Sequence, residues 1–171
     1  MRNNSIRRLC IAGVVGALYA VLTLTLPMFG PLQVRFSEAM TVLPFFLPET
    51  IPGLAVGCLV SNLIGSPYAL DWVVGTSATL LAAIWTSKLK HSWLAPMPPV
   101  VCNAVIIGAE IAWTEVGFTS AFPALWGYHA LTVGIGELLA CYLLGILLLR
   151  LLPHIPYFRE MMPAERLKLI H

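Results

Sequence analysis

Apolar residues fall into six blocks along the chain, approximately Ile6–Leu26, Ser37–Leu47, Ile51–Gly65, Leu70–Ser87, Leu94–Trp113 and Gly127–Leu152. None alternates with period two, so the expected membrane-crossing elements are helices and not barrel strands. Four blocks approach or exceed the ~20 residues that a helix needs to cross a bilayer. The second and third are shorter, and could be two passes or one broken pass. Proline and glycine mark the breaks: Pro27 with Pro31, Pro48 with Pro52, Ser66-Pro67, and Pro153 with Pro156. Pro98-Pro99 lies inside the fifth block and is expected to kink that helix or start it. The basic start (Arg2, Arg7, Arg8) before the first block resembles a secretory signal, but the apolar run to Leu26 is about twice a typical signal core, so it reads as a retained helix.

Composition agrees: 58% of the 171 residues are hydrophobic and 11% are charged, against roughly 25% charged in soluble domains. Charge placement decides the number of passes. With six helices and both termini in the cytoplasm, the inner positions hold Arg2, Arg7, Arg8, Lys88, Lys90, Arg150, Arg159, Arg166 and Lys168, nine of the ten basic residues, and only Arg35 lies outside. Five helices would leave three of the ten inside. The excess of Lys and Arg on cytoplasmic loops therefore selects six. The expected organisation is a six-helix transmembrane domain over residues 1–152 and a basic cytoplasmic tail over 153–171, in the plasma membrane.

This topology puts five of the eight acidic residues in the outer half: Glu38, Asp71, Glu110, Glu115 and Glu137. A charge at mid-bilayer costs roughly 2.5–3.5 kcal/mol on insertion scales. Glu137, counted from Gly127, lies ~15 Å deep, so it must be paired, protonated or turned to a polar cavity. Asn62 and Asn103 stand at comparable depth, and Trp72 and Trp113 belong to an outer aromatic level with Tyr68, Trp126 and Tyr128. Together with Arg35 these residues describe a polar ligand pocket opening outward. Plainer roles exist for each: Arg35 with Glu38 as a pair three residues apart, Asp71 as a helix N-cap, the asparagines as interhelical hydrogen bonds, the aromatics as an interfacial belt.

The first block carries small residues spaced by four: Ala12, Gly16 and Ala20 on one face, Gly13 and Ala17 on the next. Such stripes let another helix approach closely. The approaching helix could belong to a partner, or to this chain's own Gly53-Leu54-Ala55-Val56-Gly57.

The stretches Ala17-Leu18-Tyr19-Ala20-Val21-Leu22-Thr23, Arg35-Phe36-Ser37-Glu38-Ala39, Ile51-Pro52-Gly53-Leu54-Ala55-Val56-Gly57-Cys58 and Asp71-Trp72-Val73-Val74-Gly75-Thr76 resemble the QueT family, over roughly residues 10–152. Members of that family are substrate-binding S components of energy-coupling factor (ECF) transporters, associated with queuosine precursors. The resemblance implies an outward-facing pocket and docking, through the small residues of the first helix, onto two cytoplasmic ATPases and one transmembrane coupling subunit. It also implies a 7-deazaguanine ligand, whose adjacent N–H groups suit a carboxylate accepting both. Glu137 or Glu110 would take that edge, Asn62 and Asn103 would orient the base, and Trp72 or Trp113 would stack on it.

Other classes fit less well. There is no GxxxxGK[ST] phosphate loop, so ATP must be used by another protein. The four cysteines are scattered through apolar stretches with no CxxC pair, and neither a metal nor another cofactor is expected. A membrane enzyme would need a nucleophile beside a base, or a metal motif, and none is present. A channel would carry polar residues through the full thickness, but the inner half has almost none. A net charge of +2, without basic runs, argues against nucleic acid. Within the transport class, another vitamin or purine-like cargo remains the alternative.

Overall fold

The computed structural model describes residues 2–26 and 34–168; the expected breaks at Pro27 and Pro31, and the last three residues, lie outside them. Every regular element among the described residues is helical. Helix α1 (Arg2–Thr25) is followed by a 3₁₀-helix (Phe36–Phe45), then by α2 (Ile51–Gly65), α3 (Ala69–Lys88) and α4 (Met97–Val116). Helix α5 (Phe122–Leu138) runs on through a π-helical stretch (Leu139–Gly145) into α6 (Ile146–Leu151), and two short helices, α7 (Pro156–Arg159) and α8 (Ala164–Leu167), finish the chain. Among the described residues, four helical stretches are long and apolar enough to cross a membrane: Ser5–Thr25, Ala69–Lys88, Ser92–Val116 and Phe122–His154.

Pro98 starts its helix and does not interrupt it, whereas Pro44 lies inside the 3₁₀-helix. Pro52, Pro98 and Pro123 fall in the first turns of α2, α4 and α5, where backbone N–H groups have no intrahelical acceptor to lose. The last block begins earlier than expected, at Phe122 instead of Gly127. Glu137 therefore lies fifteen residues into its helix, ~22 Å along the axis.

The second block forms the centre of the bundle. Residues Ser37 through Phe45 are all buried, and α1, α3, α6 and the π-helical stretch surround them. A 3₁₀-helix of this length is unusual, because its hydrogen bonds are poorer than those of an α-helix, so tertiary contacts must hold it. Gly145 of the π-helical stretch supplies one such contact: a Cβ there would stand 2.9 Å from Val42 Cγ1. Helices α1 and α2 meet at a second close approach, where a Cβ on Gly16 would lie 2.6 Å from the carbonyl oxygen of Gly53. Tyr19, Phe45, Phe46, Leu47, Leu54 and Leu149 fill the remaining core.

Two groups of contacts mark the two ends of the bundle. At one end Arg7 donates to the Tyr157 carbonyl (2.9 Å) and lies over its ring (4.4 Å). There also Arg166 donates to the carbonyls of Phe45 (2.7 Å) and Ser87 (2.6 Å) and lies 5.0 Å over the Phe45 ring. Phe45 ends the 3₁₀-helix and Ser87 lies in the last turn of α3, so this guanidinium satisfies carbonyls that helix termini leave open and meets their negative dipole ends. With Met162 buried in the core, the segment after Leu152 is folded onto the bundle. At the opposite end Thr23 meets Ser37 (2.8 Å) and Asn62 meets the turn into α3.

Candidate ligand-binding site

At this opposite end a cavity of about 510 Å³ opens between α1, the start of the 3₁₀-helix, the α2–α3 turn and the second half of α4. Its volume lies within the roughly 300–1,000 Å³ of small-molecule sites. Helix α4 contributes Ile107, Glu110, Ile111, Thr114 and Glu115, a stripe at i, i+3, i+4, i+7 and i+8 that puts one helical face on the cavity. Arg35, Asn62, Tyr68 and Asp71 line the facing wall.

Each polar group is placed by a local cause. Asp71 sits in the first turn of α3, where the positive end of the helix dipole favours a carboxylate; the N-cap itself is Tyr68. Asn62 donates from Nδ2 to the Asp71 carbonyl (3.0 Å), tying α2 to α3. Gly75 leaves room for both, since a Cβ there would stand 2.6 Å from Asp71 Oδ1 and 2.7 Å from Asn62 Nδ2. The Arg35 guanidinium acts electrostatically on Asp71, Glu38 and Glu110. Glu110 is only 9% exposed, and neither of its carboxylate oxygens has a hydrogen-bond partner among the described residues. A buried acceptor left unsatisfied costs about 1–3 kcal/mol, and a charged one more, so Glu110 is a group built to meet something.

Glu38, Asn103 and Glu137 form a buried hydrogen-bond network outside the cavity lining. Asn103 donates from Nδ2 to Glu137 Oε1 (2.8 Å) and reaches Glu38 Oε2 (3.5 Å). The Tyr19 hydroxyl donates to Glu38 Oε1, the Cys141 thiol points to Glu137 Oε2 (3.5 Å), and the Thr41 hydroxyl donates to the Glu38 carbonyl (2.6 Å). Glu38 is 1% and Glu137 4% exposed. The network joins α1, the 3₁₀-helix, α4 and α5, and none of its residues is part of the cavity lining.

The structure thus brings Arg35, Asn62, Asp71 and Glu110 together in one cavity and sets Glu38, Asn103 and Glu137 outside its lining. Trp72 is half-buried with its indole N–H unpartnered among the described residues, and it is not part of the lining. Trp113 is exposed and packs on Phe118 at 6.5 Å between ring centroids. The aromatic ring in the lining is Tyr68, which sequence reasoning had placed in the outer belt. Thr114 and Glu115 were also missed as lining residues, although their spacing from Glu110 and Ile107 was readable. All five residues of the small-residue stripe line an apolar groove of about 380 Å³ together with Gly53, Val56 and Gly57 of α2; Ala12, Gly16 and Ala20 are buried, and Gly13 and Ala17 are exposed.

Among the described residues, an all-helical fold with four membrane-length helices marks a multi-pass membrane protein, and the cavity at one end is of ligand size. The chain belongs to the QueT transporter family, whose profile matches residues 9–154. A similar curated protein is the Queuosine precursor transporter QueT of Lactococcus lactis subsp. cremoris (strain MG1363), 31% identical over 85 residues, or 47% of this chain and 50% of that protein. The match spans about half the length of that relative. No solved structure matches the chain.

Proposed function

We propose that this chain is the substrate-capturing S component of an ATP-driven ECF-type importer for queuosine precursors of the 7-deazaguanine class. It crosses the plasma membrane six times with both termini in the cytoplasm. In this reading the basic end faces inward, as the distribution of Lys and Arg requires, and the cavity opens outward.

The unsatisfied Glu110 carries the proposal. A carboxylate accepts two adjacent N–H donors at once, and such charge-assisted pairs are stronger than neutral ones. Glu110 would take the ring N–H and exocyclic amine of the base, Asn62 would orient it, and Tyr68 would cover its face. Asp71 and Arg35 set the local field. Glu38, Asn103 and Glu137 tie the helices together outside the cavity. The outward face of α1 at Gly13 and Ala17 is the docking surface for the coupling subunit, which joins the chain to two cytoplasmic ATPases.

The test is calorimetry of 7-deazaguanine bases with the detergent-solubilised protein, with guanine, riboflavin and thiamine as controls. The expected result is saturable binding of the 7-deazaguanines, weakened about tenfold or more by Glu110→Gln, since a charge-assisted hydrogen bond contributes ~1.5–3 kcal/mol. Binding of riboflavin or thiamine in place of the 7-deazaguanines would overturn the cargo. Full affinity in Glu110→Gln would remove Glu110 from the site.

A further inference from the structure

Glu115 occupies an unfavourable place for a carboxylate. It lies in the last turn of α4, which ends at Val116, where the negative end of the helix dipole repels it. What faces it is His129 of α5: His129 Nε2 lies 3.2 Å from Glu115 Oε2. The His129 side chain is 12% exposed against 47% for Glu115, and the Tyr128 ring meets it edge-on at 5.2 Å between centroids. One residue further, α4 and α5 are in near backbone contact, for a Cβ on Gly108 would stand 2.8 Å from the Ala130 nitrogen. His129 is therefore fixed relative to α4, within ion-pair distance of a half-exposed carboxylate at the cavity wall, with its Nε2 making no hydrogen bond among the described residues.

The charges lining the cavity are Asp71, Glu110, Glu115 and Arg35: three carboxyl groups and one guanidinium. With Glu110 ionised, as accepting two N–H donors requires, the carboxylates outnumber Arg35 by two. A neutral ligand leaves that excess uncompensated in a partly desolvated site, and a ligand with one protonated amine halves it. Glu110 gives independent reason to expect a ligand here, because it is nine-tenths buried, lines the cavity and has no partner among the described residues.

We propose that Glu115 is the specificity-determining group of this cavity, receiving a protonated amine on the ligand, and that His129 is the positioning residue that aims it. The cavity then selects planar heterocycles carrying an amine over neutral isosteres of the same ring. This rests on the reading of the cavity as a 7-deazaguanine site.

The experiment compares two 7-deazaguanines on the full detergent-solubilised chain by calorimetry, one with an aminomethyl and one with a nitrile substituent at the same ring position. The readout is the ratio of their affinities, because a variant that merely disturbed folding would weaken both. The wild type is expected to favour the amine at least tenfold. Glu115→Gln should reduce that ratio about tenfold, and His129→Gln should reduce it by a smaller factor. A ratio near one in the wild type, or a ratio that neither substitution changes, overturns the assignment of Glu115 and His129. Binding of neither compound overturns the 7-deazaguanine reading itself, a result distinguishable from the first because no ratio exists to be altered.

Discussion

Two glycines three residues apart on α1 should respond oppositely to the same substitution. Gly16→Ala places a methyl group 2.6 Å from the Gly53 carbonyl oxygen, with the Gly53 carbonyl carbon at 3.3 Å and Cα at 3.4 Å. A comfortable carbon–oxygen contact is ~3.3 Å or longer, so α1 and α2 must separate by more than half an ångström. Every atom in the way is backbone, and no side-chain rotation can relieve it. The same contact is tight from the other side, where a Cβ on Gly57 would strike the Gly16 carbonyl oxygen. Overpacking costs ~1–3 kcal/mol, here at the upper end, and replacing a helical glycine returns up to ~1 kcal/mol of propensity. The net is a loss of about 2 kcal/mol, or ~4–8 °C in melting temperature for a chain of this size. Gly13 has nothing within 4 Å of its Cβ position, so Gly13→Ala keeps only the propensity gain of up to ~1 kcal/mol and should melt ~2–4 °C higher. Thermal unfolding of the three detergent-solubilised proteins reads both shifts. Shifts in the same direction, or a stabilised Gly16→Ala, would refute the assignment of the Ala12–Gly16–Ala20 face to packing within the chain.

The buried network should separate stability from binding. Asn103→Leu removes the amide shared by Glu137 and Glu38 and should cost about 1–3 kcal/mol for each acceptor left unsatisfied. Glu137→Gln retains an acceptor for Asn103, so it should melt only a few degrees lower and still bind the 7-deazaguanine; calorimetry and melting on one sample decide, and lost binding in a well-folded Glu137→Gln would return Glu137 to the ligand site. At the other end, Arg166→Ala removes donors to two helix-terminal carbonyls. It should free the chain after Leu152 for limited proteolysis, and Arg166→Lys should rescue it poorly, because a point-like ammonium lacks the planar fork that reaches both carbonyls. Unchanged protease resistance in Arg166→Ala would show that Met162 and its neighbours hold the segment without it.

Apolar periodicity and charge were enough to read the helical class and the long helices from the sequence. The third block coincides with α2, and the fourth differs from α3 by one residue at each end. Both signals are local: a run of apolar residues bounded by proline or glycine has few alternatives to a helix in a bilayer. The cavity was half legible, because polar residues in apolar blocks mark functional depth but do not say which way a side chain turns. Glu110 and Glu137 look alike in sequence. The difference is that Asn103 and Cys141 lie opposite Glu137, while the cavity lies opposite Glu110, and that depends on the relative rotation of α4 and α5. Trp113 and Tyr68 exchanged roles for the same reason. The docked segment beyond Leu152 was missed because its polar anchors, Arg166 on two main-chain carbonyls and Arg7 on a third, are contacts that no side-chain pattern announces.

The central helix shows how a short block can match longer neighbours. As an α-helix, ten residues would reach ~15 Å; wound as a 3₁₀-helix they reach ~20 Å, closer to the ~22 Å of the fifteen-residue α2 beside it. The tighter winding also sorts the side chains. At about 120° per residue, positions i and i+3 fall in register, and the sequence supplies a different chemistry on each of three rows. Glu38 and Thr41 form a polar row toward Cys141 and the network with Asn103. Ala39 and Val42 form a row against Gly145. Met40 and Leu43 turn to an apolar groove with Val15 and Leu148. In an α-helix at about 100° per residue, each step of three residues would rotate a row by ~60°. The 3₁₀ winding thus keeps the rows in register and supplies the length. Arg35 at the cavity and Phe45 under Arg166 are in this way the two ends of one continuous buried element.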